Sequence, residues 1–119
     1  MLDKPTAPLS TRALPQASFA DLSVEEKMLR IRTIIGLDFG TGARSLRTSC
    51  HRQSWLWGKR IAIFLAFELT NCSCAEIGRC FDYADHTTVL YHLKKVRAQL
   101  GKVLFVEYLR KLEMRIIRS

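Results

Sequence analysis

The sequence predicts an all-α fold, a compact helical domain carrying a helix-turn-helix motif. Three observations carry this expectation: apolar residues recur at three- and four-residue spacing, no stretch alternates apolar with polar as a half-buried strand would, and two capping boxes mark helix starts. With 119 residues the chain is expected to build one core, because chains divide into domains only beyond roughly 250 residues.

Residues 1–22 hold all three prolines, Pro5, Pro8 and Pro15, among Ala, Ser and Thr, the composition of a disordered arm. The folded domain is therefore expected over residues 23–119. Ser23-Val24-Glu25-Glu26 reads as a capping box, in which the Ser23 hydroxyl and the Glu26 carboxylate satisfy each other's free backbone amides. Met28, Leu29, Ile31, Ile34 and Ile35 supply the apolar side of this first helix, and Gly36 is expected to stop it, opening a loop through Gly42.

After Gly58 comes a strongly helical stretch, with Ile61, Phe64, Leu65, Glu68 and Leu69 in register and Asn71 suited to a left-handed terminating position. Ser73-Cys74-Ala75-Glu76 is a second capping box and opens a short helix ending near Asp82, with Ile77, Cys80 and Phe81 turned inward. Gly78 permits close packing there. Following a Tyr83-Ala84 turn, Asp85 is a good N-cap for a longer helix in which Val89, Leu93, Val96 and Leu100 form the core stripe. A last helix runs from Lys102 towards Ile117, with Leu104, Tyr108, Leu112 and Arg115 or Ile116 setting its faces.

Nineteen Lys and Arg against eleven Asp and Glu leave a net charge of +8, which on so small a body points to a polyanionic partner, nucleic acid first. The charge is uneven: Arg44, Arg47, Arg52, Lys59 and Arg60 stand in a segment without a single acid. The apolar run Ile61–Phe67 is far shorter than the ~20 residues a bilayer span needs, and no basic-then-apolar leader opens the chain. A cytoplasmic, nucleoid-associated protein with no membrane partner is expected.

Cys50, Cys72, Cys74 and Cys80 form no Cys-x-x-Cys pair and read as reduced core thiols. A zinc site from Cys72, Cys74, His86 and His92 would need ligands at irregular spacing from both sides of a turn, so neither metal nor cofactor is expected. No Gly-x-x-x-x-Gly-Lys loop supports nucleotide binding, and His51, His86 and His92 stand at no recognisable spacing from a nucleophile or carboxylate. An enzyme is not expected.

In a helix-turn-helix the second helix enters the major groove and its N-terminal residues meet base edges. Here those residues are Asp85, His86, Thr87 and Thr88. A carboxylate accepts from cytosine N4, an imidazole donates to purine N7 or O6, and a threonine methyl packs on that of thymine. Tyr91, Lys94 and Lys95 follow one and two turns later, within reach of flanking phosphates.

The run from Lys59 to Thr70, followed by Ala75-Glu76-Ile77-Gly78-Arg79-Cys80-Phe81 and Asp85-His86-Thr87-Thr88-Val89-Leu90, closely resembles the C-terminal domain of the bacterial replication initiator DnaA. The resemblance covers Gly58 to Val96 and extends less closely back to Ser23. It implies a helix-turn-helix reader of double-stranded DNA that recognises short asymmetric boxes at a replication origin, without the family's ATPase module. Carried over, base contacts fall on Asp85, His86 and Thr87 and a backbone contact on Thr88; Lys59 and Arg60 match basic or polar loop positions, and Arg52, Lys59, Arg60, Lys94 and Lys95 are the expected phosphate partners by charge and position.

Three positions depart from the family. Trp57 stands where an Arg of the basic loop enters the minor groove, Ala84 replaces the Arg before the Asp-His-Thr-Thr run, and Phe67 replaces a Lys of the long helix. Trp55 and Trp57 have two readings, packing on the core or stacking on DNA. Losing basic residues keeps two alternatives open: a transcriptional regulator reading another sequence, or an interaction protein that binds an initiator or another replication protein. Five phosphate partners predict that log K falls with log salt at a slope of about −4 to −5.

Overall fold

The structure, a computed structural model, describes residues 18–40, 53–83 and 85–118, and over these residues every regular element is helical. A 3₁₀ turn, Phe19–Asp21, precedes α1 (Val24–Asp38), α2 (Gln53–Leu69), α3 (Cys74–Cys80), α4 (His86–Arg97) and α5 (Val103–Arg118). The all-α expectation is met. Residues 18–22, expected to belong to a disordered arm, carry structure instead: Ser18 donates to the Asp21 carboxylate at 3.0 Å, and Phe19 is buried in the core; residues 1–17 lie outside the described residues.

α1 begins at the Ser23 box, with the Glu26 amide on the Ser23 hydroxyl at 3.2 Å and the Ser23 amide on the Glu26 carboxylate at 2.9 Å. Those bonds hold the Glu26 carboxyl below its usual range. The helix does not stop at Gly36, which is buried inside it. It ends two residues later, and Gly40 at φ +70° makes the left-handed exit that an L side chain would strain. Leu29, expected inward, is 53% exposed because the buried stripe is Met28, Ile31, Ile34 and Ile35.

α2 is the central helix, packed against α1, α3 and α4. Ile61 to Ala66 are buried without interruption, which explains why its pattern is apolar all round rather than amphipathic. Its end is managed by Thr70, not by a left-handed Asn71: the Thr70 hydroxyl donates to the Ala66 carbonyl at 2.6 Å and accepts from the Cys72 amide at 3.3 Å.

α3 opens on the Ser73 box, Ser73 amide to Glu76 carboxylate at 2.8 Å and Glu76 amide to Ser73 hydroxyl at 3.2 Å. It closes in a Schellman turn: the Tyr83 amide reaches back to the Gly78 carbonyl at 2.7 Å while Asp82 takes φ 59°. A Cβ on Gly78 would stand 3.4 Å from the Tyr83 carbonyl and 3.5 Å from Val89 Cγ2, in van der Waals contact, so the turn and α4 seat against α3 with room for one carbon there and no larger side chain.

α4 buries Val89, His92, Leu93 and Val96, while Leu100 lies beyond its end and stays partly exposed. α5 buries Leu109, Leu112 and Ile116 and leaves Leu104 80% exposed. α5 is tied to α1 by the Tyr108 hydroxyl donating to the Asp38 carboxylate and by Arg115 Nη1 bonding the same carboxylate at 3.1 Å. Arg30 adds a bond to the Ile116 carbonyl at 3.4 Å. The loop expected over Gly36–Gly42 is helical through Asp38; residues 41 and 42 lie outside the described residues.

Candidate nucleic-acid interface

α3, the Schellman turn and α4 form the helix-turn-helix, and α2 holds α4 from behind. Asp85 caps α4: its carboxylate accepts from the Thr87 amide at 3.0 Å, which keeps its pKa low and the group ionised. His86 Nδ1 stands 3.4 Å from the same carboxylate, with side-chain exposures of 57% for His86 and 63% for Asp85. Thr87 is exposed as well, and Thr88 is half-buried. The N-terminal end of α4 therefore exposes an acceptor, an imidazole and a hydroxyl.

Further along α4, Leu90, Tyr91, Lys94 and Lys95 are exposed, and the Lys95 ammonium lies 5.2 Å from the Tyr91 ring centroid. Lys94, Lys95 and Arg97 fill the last turn, where cations complement the C-terminal end of the helix dipole.

Two residues expected to contact phosphate, Lys59 and Arg60, are buried. Lys59 is 1% exposed and Arg60 7%. The Lys59 ammonium sits 4.4 Å from the centroid of the Tyr83 ring. Arg60 lies against Trp57 at 4.9 Å and Tyr91 at 5.8 Å, and its Nε donates to His92 Nδ1 at 3.2 Å. Cation–π contact holds the Lys59 charge inward, and cation–π contact with a nitrogen acceptor does the same for Arg60. Arg52, Ala84 and the Trp55 side chain lie outside the described residues.

Trp57 takes the packed alternative, meeting Phe105 edge-on at 6.4 Å beneath Arg60. Phe67 lies under the Arg97 guanidinium at 5.6 Å, so a cation is returned to that spot from α4. Sequence reasoning missed His92 and Tyr83. The signal was present, because position 92 falls on the stripe of 89, 93 and 96, and a histidine there must find internal partners. His92 is 4% exposed and bonded through both ring nitrogens, the second to the Tyr83 hydroxyl at 3.0 Å.

Cys72 is buried and Cys74 and Cys80 are half-buried, all three as free thiols, while Cys50 lies outside the described residues. Among the described residues no helix is long and apolar enough to cross a membrane, and no group of three His, Cys, Asp or Glu converges as a metal site would require.

Comparison with known proteins agrees with this geometry. A solved chain described as a DNA replication initiation factor superposes with a TM-score of 0.73 at 20% identity, over 79% of this chain and 29% of that one, a likeness of fold. The chromosomal replication initiator protein DnaA of Thermus thermophilus is 34% identical over 91 residues, which is 73% of this chain and 21% of that protein. DnaA of Treponema denticola is 32% identical over 63 residues, 53% of this chain and 13% of the relative. The chain thus spans about a fifth or less of the relatives it matches. A family model for the bacterial DnaA protein helix-turn-helix matches residues 28–96, more than half of the sequence, and the chain belongs to that family.

Proposed function

We propose that this domain reads double-stranded DNA in a sequence-specific way, with α4 in the major groove and DnaA-box-like origin sequences as its target. The observation that carries the reading is the joint exposure of Asp85, His86 and Thr87 at the N-terminus of a helix whose other face is locked into the core. These three make base contacts; Thr88, Lys94, Lys95 and Arg52 meet the backbone. The role that follows is action in, or control of, replication initiation at the nucleoid.

The packing of Trp57 on Phe105 favours one modification of this reading. A tryptophan fixed there cannot supply the minor-groove arginine of the family, so selectivity for A·T pairs at that end of the site is relaxed. A transcriptional regulator reading another sequence, and a domain that binds an initiator or other replication protein, are the competing outcomes.

Fluorescence anisotropy at physiological salt, with duplexes carrying a DnaA-type box or its scrambled version, tests the reading. Cognate binding at least about a hundredfold tighter is expected, within the range that separates specific from non-specific sites. His86→Ala should then cost about 1–3 kcal/mol on the preferred site and little on random DNA. Equal loss on both would show that α4 does not read bases.

A further inference from the structure

Lys59 and Arg60 pose a question that the base-reading face does not answer: two cations of the basic segment are buried directly behind the helix proposed to read DNA. Arg60 Nε is always a donor, so His92 Nδ1 must accept and the ring proton sits on Nε2. Nε2 then donates to the Tyr83 hydroxyl at 3.0 Å. The Lys59 ammonium braces the Tyr83 ring from 4.4 Å, and Trp57 and Tyr91 flank the Arg60 guanidinium. The array joins α2 to the recognition unit at two points, the turn at Tyr83 and the second turn of α4 at His92.

We propose that Arg60, His92 and Tyr83 act as positioning residues for DNA reading: the basic pair of α2 serves the duplex through α4 rather than by touching phosphate. The inference rests on the function proposed above. Its physical basis is leverage. His92 lies six residues beyond His86, roughly 120° away around the helix, so a change at the buried face rotates or tilts the face that presents Asp85, His86 and Thr87. Hydrogen bonds to base edges tolerate only a few tenths of an ångström, whereas attraction to phosphates tolerates much more. An array that fixes the pose of α4 therefore affects selectivity far more than non-specific affinity.

A direct phosphate contact and a positioning role predict different measurements. The preferred duplex, obtained by selection from a random pool, and its scrambled version are titrated with the full chain over a range of salt. For Arg60→Ala and His92→Ala, binding to the preferred site should weaken about tenfold or more, binding to the scrambled site should change by less than about twofold, and the salt slope should stay as in the wild type. Tyr83→Phe keeps the ring over Lys59 and removes only the hydroxyl. It should show the same selective loss in milder form, so the inference stays testable if either alanine variant fails to fold. His92→Gln retains an acceptor for Arg60 and should recover part of the preference.

A uniform loss on both duplexes, with the salt slope of Arg60→Ala smaller by about one, would make Arg60 a phosphate ligand and overturn the positioning role. An unchanged preference in Tyr83→Phe and His92→Gln, alongside alanine variants that lose only thermal stability, would reduce the array to core structure and also overturn it. A wild type without any preference among duplexes would instead overturn the DNA-reading function beneath the inference.

Discussion

Arg60 Nε and His92 Nδ1 meet at 3.2 Å in the interior, a guanidinium bonded to a neutral imidazole. Burial first, then the nearby charges of Arg60 and Lys59, pushes the His92 pKa down to about 4 from 6.5. The Tyr83 hydroxyl bonds the other ring nitrogen and the Tyr91 ring lies edge-on at 5.8 Å, both neutral groups. Between those two pH values the unfolded chain binds the proton and the folded one does not, so stability falls as pH drops from 6.5 towards 4 and is unaffected by this group above that window. The full penalty is on the order of 3 kcal/mol. Glu26, Glu76 and Asp85, whose pKa values are lowered by their capping bonds, lose stability only at lower pH, below their ordinary values near 4. Urea denaturation at about pH 7.5, 6 and 5 should show the decline, and His92→Gln should remove most of it; an equally steep variant would assign the effect elsewhere.

Gly78 is expected to accept one carbon and no more. A Cβ there meets the Tyr83 carbonyl at 3.4 Å and Val89 Cγ2 at 3.5 Å, ordinary to tight contact. Gly78→Ala therefore trades slight crowding against better helix propensity and should change stability by less than about 1 kcal/mol. Gly78→Val adds branches where the turn and α4 already stand and should cost about 1–3 kcal/mol. Thermal melts of the two variants decide it, equal melting temperatures counting against the tight seating of α4 on α3.

What the sequence made legible was local. The Ser23 and Ser73 boxes, the Asp85 cap and the Val89, Leu93 and Val96 stripe each depend on residues within a turn or two, and each stands in the structure. Misreadings arose where a distant partner decides. Gly36 looks like a stop until its burial shows why the helix continues to Asp38, and Leu29 looks inward until neighbouring helices define the inner face. Counting charge placed Lys59 and Arg60 at the surface because nothing local reveals that a histidine 32 residues away and the Tyr83 ring would draw them in. The Asp-His-Thr run of the candidate site was read from motif and helix phase, while the array behind it required the fold.

The tie between α1 and α5 should rest more on Tyr108 than on Arg115. The Tyr108 hydroxyl donates to the Asp38 carboxylate from a half-buried position, and burial together with that carboxylate pushes its pKa above the usual tyrosine range. Tyr108→Phe removes a bond to a charged acceptor at constant shape and should cost about 1 kcal/mol, whereas Arg115→Ala breaks a partly exposed ion pair worth about 0.5 kcal/mol. Raising salt to about 1 M should weaken the contribution of Arg115 and leave that of Tyr108 nearly intact. The reverse ranking in denaturation experiments would show that the ion pair holds the helices together.

Salt dependence gives the sharpest check on how the basic residues are used. Counting Arg52, Lys59, Arg60, Lys94 and Lys95 as phosphate partners predicts a slope of log K against log salt of about −4 to −5. With Lys59 and Arg60 held inside by Tyr83 and His92, three of those partners remain and the slope should be about −3. Lys95→Ala should reduce its magnitude by nearly one, because the Lys95 ammonium lies on the exposed edge of α4 beside Tyr91. A measured slope near about −5 that falls on replacing Lys59 or Arg60 would mean that the two buried cations swing out to the duplex, and that DNA binding breaks the contacts that hold α4 against α2.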